Sequence, residues 1–229
     1  MLFIGHISLA FLLAYFISTK FQDIRKTVSI ALVMFLSILP DIDILFRLAG
    51  MDLGHRTFTH GVIIWLVVGG ILISFFTIKY GKGLEAAVYL IAYLSHLVIG
   101  DTFVAPINIL YPFGDFIVNS PIKNGSLQHI FLEILFFTLM ATIVITRYYS
   151  FKRKNEDIFL FRYHYKMDTF LYPVLILAII ISFFYVVAGF EFSLVEISVL
   201  MLLHIALVSI IMLIWLASKS AKRQERVVS

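Results

Sequence analysis

Seven near-continuous apolar runs, each close to the thickness of a membrane, constrain this 229-residue chain more than any other feature of it. They cover about residues 2–19, 28–46, 61–78, 84–104, 127–146, 169–190 and 194–217. Crossing ~30 Å of hydrocarbon takes ~20 helical residues, and lipid offers the backbone no hydrogen-bond partner, so such runs are read as helices. Composition agrees. Hydrophobic residues make up 61 % and charged residues 14 %, against roughly 45–50 % and about 25 % in soluble domains. With a mean hydropathy of +1.00, a water-soluble globule, a disordered chain and a collagen-like repeat are all excluded. The expected fold is an all-α polytopic transmembrane bundle of about seven spans. The second span is broken or re-entrant, because Pro40-Asp41-Ile42-Asp43 interrupts it after about twelve apolar residues, or ~18 Å of helix.

Charge placement orients the bundle. Fifteen of the 18 Lys and Arg fall in the connections 20–27, 79–83 and 147–168 and in the tail from Lys219, leaving Arg47, Arg56 and Lys123 for the other side. The positive-inside rule then puts the amino terminus outside and the carboxyl terminus in the cytoplasm of a multi-pass cell-membrane protein. The same placement explains the pI near 9.2 as topology signals and contacts to anionic membrane lipid, not as nucleic-acid binding. Residues 1–19 have neither a basic start nor a small-residue cleavage site and read as a retained span. The expected organisation is a membrane helical domain over 1–150, an interfacial cytoplasmic connection over 151–168, two further helices over 169–217, and a basic tail over 218–229. The absence of cysteine removes disulfides, thiolate zinc sites and cysteine nucleophiles.

Ionisable groups inside spans are costly, at about 2.5–3.5 kcal/mol near the centre, and so mark functional sites. Here they are His6; Asp41 and Asp43; His55, Arg56 and His60; His96 and Asp101; His129 and Glu133; and the isolated His204. All but the last fall near the outer side of the expected topology, on five separate segments. Asp115 stands in a Tyr-Pro-Phe-Gly-Asp stretch, either a loop turn or the rim of a site. Imidazole with carboxylate is the donor set of zinc, manganese or iron, and a divalent ion relieves the repulsion of crowded carboxylates. His129 and Glu133, four apart, share a helix face. Arg56, between His55 and His60, is a planar donor suited to phosphate or carboxylate.

The ordered set Leu39-Pro40-Asp41-Ile42-Asp43, His55-Arg56-Thr57-Phe58-Thr59-His60, Leu94-Ser95-His96 with a following Asp, and Tyr111-Pro112-Phe113 resembles the YdjM family of membrane-bound, predicted metal-dependent hydrolases. The resemblance covers roughly residues 1–150 and leaves the last two spans outside. Through that family the chain looks distantly similar to zinc-dependent phospholipase C and the fungal zinc nucleases. By that analogy His6, Asp41 or Asp43, His60, His96, Asp101, His129 and Glu133 are implied as ligands. Two departures stand out. Gly61 replaces the usual Ser after Thr-His, and His96 and Asp101 have four residues between them instead of three. On a regular helix residues five apart diverge by about 140°, so their convergence requires a bulge or a helix end near Gly100.

These readings together lead to the expectation of an extracytoplasmic, metal-dependent hydrolase, acting on an anionic lipid or other phosphoester. Divalent ions, zinc first with manganese or iron as alternatives, are held by His6, Asp41, Asp43, His55, His60, His96, Asp101, His129 and Glu133. Asp41 and Asp43 divide the roles of ligand and of base or orienter, and Arg56 holds the anionic group. The alternative is a divalent-metal or proton-coupled transporter using the same cluster, which should line a path to the other side with further ionisable groups.

Overall fold

The computed structural model describes residues 2–25, 27–48, 56, 58–104, 106–114, 116–123, 125–154, 158–161, 167–189 and 193–228. His55, Asp115 and His164 lie outside the described residues. The protein is an all-α bundle, with six helices among the described residues long and apolar enough to cross a membrane. The first, α1 (Phe3–Lys20), is buried on nearly every side, as an all-round apolar helix must be when it forms the axis of a bundle.

The second apolar run does not form one helix. It divides into α2 (Ile30–Leu36), a 3-10 turn (Leu39–Ile42) and α3 (Asp43–Leu48). The seven residues of α2 rise only about 10 Å. Pro40 sits at the start of the 3-10 turn, where it lacks the amide a continuing helix would need. The break turns the Asp41 and Asp43 carboxylates inward, and both are buried. Ser29 caps α2 by accepting from the Leu32 amide and donates to Asp168 Oδ1 at 2.7 Å.

The remaining elements pack around α1. They are α4 (Val62–Ser74), continued by a π turn (Phe75–Lys79), and α5 (Gly83–Ser95), continued by a second π turn (His96–Asp101) and Thr102–Val104. Then come α6 (Leu127–Lys154), α7 (Asp168–Gly189) and α8 (Leu194–Val228). One apolar core joins α1, α2, α6, α7 and α8 through Phe11, Met34, Met140, Leu175 and Ile211. A second joins α1 and α2 to α5 through Ala14, Val33, Tyr89 and Tyr93. Large apolar side chains on the bundle's outside, such as Leu66, Ile78, Phe170 and Leu202, are more than 60 % exposed, as suits a surface that faces lipid.

Three details add to the expected organisation. In the connection over 147–168, α6 runs to Lys154, and a 3-10 turn (Ile158–Phe161) buries Leu160 and Phe161 against α6 and α8. The stretch from 218 continues α8 as helix to Val228. The α5–α6 connection holds a two-stranded antiparallel hairpin, β1 (Ile107–Asn108) with β2 (Ile117–Val118), which places Tyr111-Pro112-Phe113 at its exposed tip.

Candidate metal centre

Four side chains from three stretches of chain meet at the broken segment. Asp41 comes from the 3-10 turn, His60 from the turn before α4, and His96 and Asp101 from the π turn of α5. All four are buried. The π turn brings the last two together. Its i→i+5 bonding adds one residue to the turn, so Asp101 comes round to the face of His96 and the divergence of a regular helix is cancelled.

Distances among the four donor atoms are those of a coordination shell. His60 Nε2 is 3.0 Å from Asp101 Oδ2 and 3.5 Å from Asp41 Oδ1. His96 Nε2 is 3.4 Å from Asp41 Oδ1 and 3.5 Å from Asp101 Oδ2, and the two Nε2 atoms are 3.3 Å apart. A tetrahedral ion with bonds of ~2.0–2.1 Å separates its ligands by roughly 3.3–3.4 Å. These five separations are close to that value, and all four atoms lie within 4.8 Å of one another.

The outer nitrogens fix which ring atom faces inward. His96 Nδ1 is 2.6 Å from the Ser37 carbonyl, which can only accept, so Nδ1 carries a proton and Nε2 is the ring nitrogen turned to the cluster. Thr59 Oγ1 donates to Asp43 Oδ2 at 3.0 Å and lies 2.9 Å from His60 Nδ1. Its one proton is thus used, and it accepts from His60 in turn. Two imidazole Nε2 atoms and two carboxylate oxygens converge on a buried point, where the carboxylate charge must be neutralised by a cation or by protons on the imidazoles. At His60, just outside α4, burial pulls the imidazole pKa down, but the bonds to Asp101 and Asp41 prevail and raise it. The donor set fits a divalent cation of the zinc, manganese or iron type.

Around the four stand three supporting groups. His6 Nε2 is 3.3 Å from Asp101 Oδ1, and its ring stacks on His96 with centroids 3.6 Å apart. A Cβ at position 100 would overlap the His6 ring, so glycine there is what lets α1 and α5 approach. Arg56 Nε is 3.4 Å from Asp101 Oδ2 with its side chain 19 % exposed, and its backbone has a positive φ of 65°. Asp43 reaches His60 through Thr59.

His129 and Glu133 share a face but are not brought into the cluster. Glu133 accepts from the Leu2 and Gly5 amides, capping the positive end of α1 from across the bundle. His129 Nδ1 accepts from the Gly125 amide at 3.0 Å and its Nε2 contacts Glu133 Oε1 at 3.1 Å. Through Nε2, His129 holds the carboxylate that caps the helix carrying His6. His204 Nδ1 bonds the Leu200 carbonyl at 2.7 Å within its own helix. Sequence reasoning missed Ser37 and Thr59 as orienting groups; only the adjacency of Thr59 to His60 hinted at either.

Fold and site define a polytopic helical membrane protein with a buried His/Asp centre compatible with metal binding. The chain matches the YdjM inner membrane protein family over residues 1–192 and belongs to it. The match extends past the expected limit near 150 and takes in α7, so one of the two final helices is part of the family's pattern. No curated protein and no solved structure matches the chain.

Proposed function

We propose that this protein is an integral-membrane, metal-dependent hydrolase that cleaves a phosphoester on an anionic or lipid substrate at the extracytoplasmic face. The observation that carries this reading is the buried group formed by Asp41, His60, His96 and Asp101, with both imidazole Nε2 atoms turned inward. These four residues would hold the ion. A divalent cation that takes a water as a ligand beyond these four would supply Lewis acidity and lower the pKa of that water towards neutrality.

The chain's own groups do the rest. His6 and Arg56 fix the Asp101 carboxylate from two sides, which keeps its orientation against the pull of the imidazoles. Arg56, partly exposed beside the cluster, binds an anionic substrate oxygen and stabilises charge that develops on it. Asp43 orients His60 through Thr59, as carboxylates commonly do for ligating imidazoles. Burial of the cluster excludes bulk water and strengthens each of these interactions.

The test is phosphoester hydrolysis by the purified, zinc- or manganese-loaded protein, with phosphatidic acid vesicles and a water-soluble phosphodiester as probes. Metal-dependent turnover that Asp41→Ala abolishes is expected. Full metal occupancy without turnover, together with divalent-ion uptake into sealed vesicles, would overturn the hydrolase in favour of the transporter.

A further inference from the structure

Beside the cluster, an apolar groove of about 270 Å³ runs between the broken segment and α7. It is lined by Phe35, Ile38 and Ile42 on one wall and by Val174, Leu177 and Ile181 on the other, with the ionisable Asp41 on its lining. The hydrogen bond from Ser29 to Asp168 holds the starts of α2 and α7 together. The groove's α7 wall, from Val174 to Ile181, makes it about 10 Å long, and Asp41 belongs both to its lining and to the cluster. Its lip is open: Ile42, Val174 and Leu177 are 40 %, 44 % and 57 % exposed on the lipid-facing surface.

We propose that this groove holds one hydrocarbon chain of a phosphoester lipid whose headgroup lies at the Asp41–His60–His96–Asp101 cluster. The assignment of the headgroup rests on the hydrolase reading above. A chain is the occupant because the groove's lining is apolar except for Asp41, where it meets the polar cluster. A soluble phosphoester would leave the channel without a role, and the partly exposed Arg56 guanidinium complements the phosphate. The geometry also gives specificity. The hydrocarbon length beyond the ester is read by the 35–42 and 174–181 walls, independently of the headgroup.

The experiment uses the full chain, metal-loaded in detergent, with phosphatidic acid carrying a photoactivatable diazirine in one acyl chain. A diacylglycerol with the same chain is the phosphate-free control. Labelling by the phosphatidic acid should concentrate on 35–44 and 174–181, about tenfold above the lipid-facing side of α8 at Leu202 and Ile205. Ala178 also lines the α7 wall, and Ala178→Trp, which fills the groove, should remove that excess while leaving metal content unchanged. Val174→Phe at the exposed lip gives a second, milder obstruction should the larger side chain upset folding. Labelling spread evenly over the apolar surface, or unaffected in both variants, would overturn the proposal. Groove labelling in a protein that cleaves no ester supports the chain site and removes the hydrolase. Turnover of the soluble phosphodiester by an evenly labelled protein does the reverse.

Discussion

At His96 a single hydrogen bond, from Nδ1 to the Ser37 carbonyl, decides which nitrogen faces the cluster, and Thr59 does the same for His60. Residues that hold a ligand's tautomer commonly cost 10–100-fold in metal affinity when removed. Thr59→Val should therefore weaken zinc binding by about that factor, whereas His60→Ala and His96→Ala should abolish stoichiometric binding. His204→Ala should leave it intact. Equilibrium dialysis with metal analysis checks all four variants. His129→Ala should also keep the metal while lowering the thermal midpoint, because it loosens the Glu133 cap on α1. Loss of a buried hydrogen bond of this kind costs about 1–3 kcal/mol. The residue types of the site were legible from sequence, since imidazoles and carboxylates are too costly in apolar runs to persist there without a polar role. Their grouping was less so. His129 and Glu133 do share a helix face, but rotation of α6 about its axis, set by packing against α1, directs that face to the Leu2 and Gly5 amides.

Among the elements, the π turn over His96–Asp101 carries the most consequence. It inserts one residue into α5, so removing one residue from within it should restore a regular helix while leaving Thr102–Val104 in place. Deletion of Val98, which is 52 % exposed, should preserve metal binding. Deletion of Ile91 in the regular part of α5, which rotates the flanking turns by about 100° relative to each other, should abolish it. Metal content and circular dichroism of the two deletions make the comparison. Gly100→Ala is expected to cost about 1–3 kcal/mol through overpacking against His6. The need for a bulge was visible in the His-x4-Asp spacing, but spacing alone does not choose between a π turn and a helix end. The break at Pro40 was equally plain from sequence. The β1–β2 hairpin was not, because two-residue strands leave no periodicity to read.

Taken whole, the molecule is a bundle organised about a buried central helix, with its polar centre walled by α1, the broken segment and α5. The charge bias across its connections predicts that a cysteine placed at Phe113, which is 80 % exposed, reacts with an impermeant maleimide from outside intact cells. A cysteine at Lys82 should react only after the membrane is opened. The reverse pattern would put the centre on the cytoplasmic side. The long apolar helices and the family were readable because hydrophobic length and ordered motifs are local properties of the chain. The joining of α7 and α8 to the same apolar core as α1 was not, since nothing in one helix names its neighbour. The most direct measurement is the X-ray absorption spectrum of the purified, zinc-loaded protein beside His60→Ala and His96→Ala. One ion per chain is predicted, in a nitrogen and oxygen shell at about 2.0–2.2 Å that includes two imidazoles. Absence of bound metal, or an identical spectrum in either histidine variant, would contradict the account.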